Sequence, residues 1–260
     1  MPYKHGRPVI DLSPWFRVAS AWTFFLIFPA AMAVNLIQHS TRYKHRWRFY
    51  GIRRAITVSN HTSFFDPVKI AGFTLPLLGF QTLLEATVEF PVLGTLIRLL
   101  GGVPIPRGKT GWRKIMDICE RAFKYRRYLH FYPEGECFLY NQRIKEFRPG
   151  AFRIAAELDI PVIPLVTVYS DGLFKPYTFF GRSLPAEILV ALEPEFPAQY
   201  IRRDIKGEIT AESVKEFAEA VRQKMQAEII RRSGSGAFYR GHMKRIKGIN
   251  DESTVAKLKS

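Results

Sequence analysis

The sequence predicts an α/β fold: a mixed, largely parallel sheet flanked by helices, preceded by an N-terminal membrane-associated helical segment. Three observations predict it. Short β-branched or apolar runs recur from about residue 50 onward. Helical patterns alternate with them, as in βαβ units. Ahead of both, residues 18–37 (VASAWTFFLIFPAAMAVNLI) carry no charge.

The uncharged run comes first. At about 1.5 Å per residue it makes a helix roughly 30 Å long, enough to cross a bilayer core. A basic TRYKHRWR follows where a removable signal peptide would carry a small-residue cleavage site. Pro29, Thr23 and Asn35 interrupt the run, so a bent or half-buried hairpin is the alternative form. Six basic residues lie between Arg42 and Arg54, against Lys4, Arg7 and Arg17 upstream. This bias puts the large C-terminal part on the cytoplasmic face.

The β-type runs are 55–59, 80–84, 103–105, 128–132, 162–169 and 188–192. Helical patterns lie at 67–74, 91–100, 112–125, 151–158 and 211–231. The last places Val214, Phe217, Val221, Met225 and Ile229 near one face. Beyond Ser233 the chain is rich in Gly, Ser and Lys and reads as loose. The chain thus divides into a membrane-anchoring segment over 1–45, an α/β domain over 46–232 and a basic flexible tail over 233–260.

Composition narrows the partners. Of 260 residues 47% are hydrophobic, enough for a substantial core. Lys and Arg number 39 against 23 Asp and Glu, a net charge of +16. Such a surface attracts nucleic acid or an anionic leaflet. The absence of any recognisable nucleic-acid module favours the leaflet. Cys119 and Cys137 form no spaced pair and no metal pattern, as in a reduced, cytosol-facing domain.

Four stretches carry candidate chemistry. In VSNHTSFFDP, Asn60 and His61 follow a strand and Asp66 follows them. A neutral imidazole takes a proton near neutral pH, and a carboxylate on its other nitrogen orients it. A plainer reading makes Asp66 a helix cap: Ser63-x-x-Asp66 is a capping-box pattern and Pro67 suits a first turn. In LLGGVPIPRGK, Arg107 ends an extended piece, with Lys109 near it, placed to grip a phosphate or carboxylate. In FYPEGECF, Pro133-Glu134-Gly135 makes a tight turn at a strand end. DIPVIPLVTVY reads as an apolar strand.

In order and spacing, Asn60-His61-x4-Asp66, Gly102-x4-Arg107, Tyr132-Pro-Glu-Gly135 and Ile160-Pro-Val-Ile-Pro164 resemble the four motifs of the glycerolipid acyltransferase family, in particular its bacterial-type 1-acyl-glycerol-3-phosphate acyltransferases. The resemblance covers about residues 45–195. It implies a membrane-bound enzyme of phospholipid synthesis that moves a fatty acyl group from acyl-CoA or acyl-carrier protein to a lysolipid hydroxyl. It also implies His61 as general base, Asp66 as its partner, and Asn60, Arg107, Glu134 and Gly135 at the acceptor site. Neither a cofactor nor a metal is implied. The third motif of the family usually reads Phe-Pro-Glu-Gly-Thr-Arg, whereas Glu136 and Cys137 end it here. A carboxylate there repels a phosphate, which turns the expectation towards a zwitterionic or amino-acid-based lysolipid. Arg143, Lys145 or Arg148 would restore the lost charge. The rival readings are a non-enzymatic basic membrane binder and a lipid hydrolase.

Overall fold

Strand β2 (Ala55–Ser59) is buried at every residue, so both of its faces are covered. The strand alternation sends Ile56 and Val58 to one face and Ala55, Thr57 and Ser59 to the other. The computed structural model describes residues 9–11, 13–39, 41–89, 91–105, 112–170, 177–179 and 182–246.

The sheet has seven strands: β1 (Arg42–Lys44), β2, β3 (Phe80–Leu84), β4 (Gly102–Ile105), β5 (Tyr128–Phe131), β6 (Val162–Ser170) and, beyond a small antiparallel hairpin of β7 (Tyr177–Phe179) and β8 (Arg182–Leu184), β9 (Ala186–Ala191). Their order is β1-β9-β6-β2-β5-β3-β4. Every pairing is parallel except β6 with β9. The mixed, largely parallel sheet expected from the sequence is the one observed. β1 pairs with β9 at one edge, so the sheet begins ahead of the boundary expected at residue 46.

The helices are α1 (Pro14–His39), α2 (Asp66–Thr74), α3 (Glu85–Glu89), α4 (Pro91–Leu99), α5 (Trp112–Phe123), α6 (Gly150–Glu157) and α7 (Ala211–Arg231). Ile56, Val58, Leu129 and Val162 meet Ile118 of α5, Phe152 of α6, and Phe217 and Met225 of α7 on one face. The apolar stripe expected on α7 is buried throughout. On the opposite face Ile70 and Phe73 of α2 pack with Tyr128, Ile163, Leu165 and Leu189.

α1 is one continuous helix through Pro29 rather than a hairpin. It is long and apolar enough to cross a membrane, yet it touches the domain at several points along its length. Ser20 Oγ donates to the Leu99 carbonyl of α4 at 2.5 Å. Tyr43 OH contacts Met32 Sδ at 3.7 Å. The Asn35 amide, fully buried, donates to Thr41 Oγ1 at 2.7 Å. Its outer face shows Trp15, Trp22, Phe25 and Leu26, each at least 66% exposed.

The first part of the expected loose tail is held. Leu139 N–H donates to the Gly241 carbonyl at 2.8 Å and Met243 N–H to the Cys137 carbonyl at 2.9 Å. Residues 247–260 lie outside the described residues.

Candidate active site

Two motifs far apart in sequence meet because β2 and β5 are parallel neighbours, with Val58 opposite Phe131. Their carboxyl ends therefore emerge side by side, one leading into Asn60-His61 and the other into Tyr132-Pro-Glu-Gly135. Loops at the carboxyl ends of such strands are where α/β sheets form crevices.

His61 Nδ1 lies 2.8 Å from Asp66 Oδ2. The same oxygen accepts the backbone N–H of Thr62 at 2.6 Å and of Ser63 at 2.8 Å. Asp66 is not the helix cap that the plainer reading made it: α2 begins at Asp66 itself, and its N-cap position is Phe65 with no side-chain cap bond. The Asp66 carboxylate instead braces the preceding loop while it receives the imidazole. With Nδ1–H donating to Asp66, Nε2 is left as the proton acceptor, and no described residue bonds to it. The His61 side chain is 19% exposed. Its ring stacks on Tyr132, with centroids 4.1 Å apart and planes 24° apart.

Glu134 sits beneath this pair, 7% exposed. One oxygen accepts the His61 backbone N–H at 3.0 Å and the other the Lys145 N–H at 2.9 Å. Burial pushes its carboxyl up to about 7, against those two bonds. Gly135 adopts φ +74°, a left-handed turn that favours glycine. A side chain there would collide with the Arg148 guanidinium, which lies against the turn. Asn60, implied as an acceptor-site residue, is 1% exposed, and its amide bonds the backbone of Thr167 in both directions, at 3.0 and 2.9 Å. It clamps the end of β2 to β6 with both of its amide atoms. Arg107 and Lys109 lie outside the described residues. Glu136 is engaged by the tail: Arg245 at 2.9 Å and His242 at 3.0 Å. Cys137 is a buried free thiol.

The sequence reading missed the groups beneath the dyad. Lys69 Nζ lies 2.6 Å from Asp66 Oδ1 and 2.8 Å from Glu187 Oε2, and all three side chains are at most 2% exposed. Burial would raise the Asp66 carboxyl, but the Lys69 ammonium and His61 outweigh it and hold it well below the usual carboxylate range. Burial would lower the Lys69 ammonium, but Asp66 and Glu187 hold it well above its ordinary value. His130, on β5, bonds Thr57 Oγ1 at 2.9 Å and Ser59 Oγ at 3.1 Å. Burial pushes it down to about 3, so it is neutral near pH 7. A lysine in the otherwise apolar run of α2, one turn beyond Asp66, was the available signal. Its partner Glu187 is 118 residues away. Among the described residues no group of three or more His, Cys, Asp or Glu side chains is placed to hold a metal ion.

Residues 38–168 match the family model described as Acyltransferase, a span that contains the Asn60–Asp66 and Tyr132–Gly135 stretches. The 1-acyl-sn-glycerol-3-phosphate acyltransferase of Saccharomyces cerevisiae is 27% identical over 177 residues, covering 65% of this chain and 54% of that protein. The chloroplastic 1-acyl-sn-glycerol-3-phosphate acyltransferase of Brassica napus is 33% identical over 129 residues, 46% of this chain and 34% of that protein. The chain thus spans about a third to about half the length of these curated relatives. The crystal structure of the 1-acyl-sn-glycerophosphate (LPA) acyltransferase PlsC from Thermotoga maritima superposes with a TM-score of 0.54 at 20% identity, covering 83% of this chain and 79% of that one. At that identity the likeness is one of fold.

Proposed function

The chain belongs to the acyltransferase family, and from that premise we propose that it transfers a fatty acyl group from a thioester donor, acyl-CoA or acyl-carrier protein, to the free hydroxyl of a lysolipid at a membrane surface. The observation that carries the reading is the His61–Asp66 pair: a buried carboxylate on Nδ1 and an accessible Nε2 without a described partner. Nε2 takes the acceptor hydroxyl proton. The resulting oxygen nucleophile attacks the thioester carbonyl carbon. The tetrahedral intermediate expels the thiolate, which recovers the proton from the His61 imidazolium. Asp66 holds the ring and balances its transient charge.

Asn60 and Glu134 serve this reading as positioning residues. One fixes the end of β2, and the other holds the His61 backbone to the turn of the third motif. For the acceptor we take a headgroup of the 1-acylglycerol-phosphate type. Arg148 lies against the Gly135 turn, and Glu136, the carboxylate that weighed against a phosphate, is paired with Arg245 and His242. Contacts from Ser20 to Asn35 support an α1 that lies along the domain in one leaflet, with the basic 42–54 stretch at the headgroups. The full chain, incubated with acyl-CoA with and without a panel of lysolipids, tests the reading by mass spectrometry. Acyl transfer that depends on lysolipid and is lost in His61→Ala supports it. Release of free fatty acid without acceptor would assign a hydrolase instead.

A further inference from the structure

We infer that Lys69 and Glu187 are a positioning pair for the catalytic carboxylate: Lys69 grips the Asp66 oxygen that His61 does not use, and Glu187 anchors Lys69 from across the sheet. The inference rests on the reading of His61 and Asp66 as base and partner. Oδ2 of Asp66 is taken by His61 and two backbone N–H groups. Oδ1 faces Lys69 Nζ at 2.6 Å, off the line of a hydrogen bond, so this is a charge contact. Glu187 accepts from Nζ at 2.8 Å and, through its other oxygen, from Thr41 Oγ1. Thr41 in turn receives the Asn35 amide of α1. The dyad is thus held from behind by a continuous buried chain that ends on the apolar N-terminal helix.

Three buried charges on α2 and β9 are an expensive way to fill space, because apolar side chains of similar volume pack there at no desolvation cost. Their arrangement does something an apolar pair would not. It places one positive and one further negative charge behind the carboxylate on which the imidazolium depends. Removing Glu187 alone leaves the Lys69 charge opposed only by Asp66 and disfavours a protonated His61. Removing both leaves Asp66 with no cation behind it and favours protonated His61. The other ionisable groups near this cluster are common to all variants. His130 is neutral, and burial raises Tyr132, Tyr169 and Cys137, which therefore stay protonated. Tyr43 and Tyr140 are raised by burial as well. Glu134, which burial pushes up to about 7 in the native chain, is retained in both variants.

The test is the acid limb of the kcat/KM profile for acyl transfer by Glu187→Gln and by Lys69→Met/Glu187→Gln. Both retain a hydrogen-bond acceptor for Thr41, and the double variant has the same buried net charge as the native cluster. Relative to native, the limb moves to lower pH in Glu187→Gln and to higher pH in the double variant, each by about half a unit or more. In the double variant kcat falls about tenfold with KM within about twofold, since the acceptor site is untouched. Limbs at the native position in both folded variants, or displaced in the same direction, would overturn the inference. Should the double variant not fold, the downward shift in Glu187→Gln alone decides. His61→Ala separates the two levels: if it retains activity the base assignment fails, whereas an inactive His61→Ala with unshifted limbs removes only the role of Lys69 and Glu187.

Discussion

Glu134 bonds the backbone N–H of His61 with one carboxylate oxygen and that of Lys145 with the other, so a single side chain joins the first motif to the third and to the loop that leads to α6. Glu134→Ala leaves two part-buried backbone donors unpaired, at up to about 1–3 kcal/mol each. We expect a loss of about 2–5 kcal/mol in unfolding free energy and, because the His61 backbone is then untethered, a fall of about 10²-fold in kcat. Chemical denaturation and initial rates of transfer measure the two. Native stability with native turnover would return Glu134 to an ordinary turn.

The same carboxyl predicts a pH dependence. Its folded value, about 7, lies above the ordinary 4.5. Between those values the unfolded chain loses a proton that the folded chain keeps, so this group lowers stability as pH rises from about 4.5 to about 7. Glu134→Gln cannot titrate. The difference in unfolding free energy between native and Glu134→Gln should therefore shift in favour of the variant across that window and level off above it. A difference independent of pH would show that the carboxyl does not titrate there.

Asp66→Asn is the sharper probe of the dyad. Asn keeps an amide oxygen that can accept from the Thr62 and Ser63 N–H groups, but it strips a charge from buried Lys69. We expect kcat to fall by about 10²–10⁴ together with a drop in melting temperature. The sign on the acid side follows from the depressed carboxyl: its contribution is fully present above about pH 3.8 and is lost as pH falls below it. The variant should lack that part of the native acid sensitivity. Normal turnover in a folded Asp66→Asn would leave Asp66 as a brace of the 62–63 loop only.

Much of this site was legible because its motifs sit where strands end, and strands of apolar, β-branched residues announce themselves. All six β-type runs became sheet strands. β1 escaped because its three residues are Arg-Tyr-Lys, which pair as an edge strand through backbone alone. Within the site, spacing identified His61 and Asp66 since His61 stands in the loop after β2 and Asp66 opens the helix that follows it. It did not show that Asn60 spends its amide on Thr167, or that Lys69 meets Glu187. Those partners are 107 and 118 residues distant and are brought together only by the strand order β9-β6-β2. Tyr132 stands where the resembling motif usually has Phe, and it keeps the ring that stacks on His61, while its hydroxyl reaches Gln81 at 3.2 Å.

That stacking gives a graded prediction. Tyr132→Phe retains the ring and should keep kcat within about twofold. Tyr132→Ala removes the surface against which the imidazole is held, and we expect a loss of about tenfold or more, from misplacement of the base. Equal activity in Phe and Ala variants would show that the stacking does not position His61.

The membrane contact can be tested without removing α1, whose Asn35 belongs to the buried chain behind the dyad. Trp22, Phe25 and Leu26 are 66%, 75% and 71% exposed on its outer face. Replacing all three by Ser removes side chains worth about 1.5–3 kcal/mol each when buried in an apolar phase. Flotation with anionic vesicles should fall by more than about 10²-fold in partition coefficient. The residual binding should weaken further with salt, since the basic residues act through screened charge. Salt-resistant binding at the native level would place the anchor elsewhere.

The acceptor is the last question, and the structure changes its terms. Glu136 stands where the family has Thr, and a bare carboxylate there would repel a phosphate. Arg245 and His242 instead engage both of its oxygens, at 2.9 and 3.0 Å. Cys137, where the family has Arg, is 7% exposed, and its carbonyl holds the Met243 N–H. Cys137→Arg would therefore force a guanidinium into a closed slot and disturb the tail. The informative change is on the tail itself. Arg245→Ala leaves Glu136 under-compensated, so KM for lysophosphatidic acid should rise while that for a zwitterionic lysolipid stays put. The pair is partly exposed, which limits the effect to about 1 kcal/mol, or roughly fivefold. Adding Glu136→Gln to Arg245→Ala removes the repulsion at its source and should return KM to near the native value. The rise should also shrink at high salt. An unchanged KM in Arg245→Ala, or a zwitterionic lysolipid preferred by the native enzyme, would show that no phosphate is read at this turn.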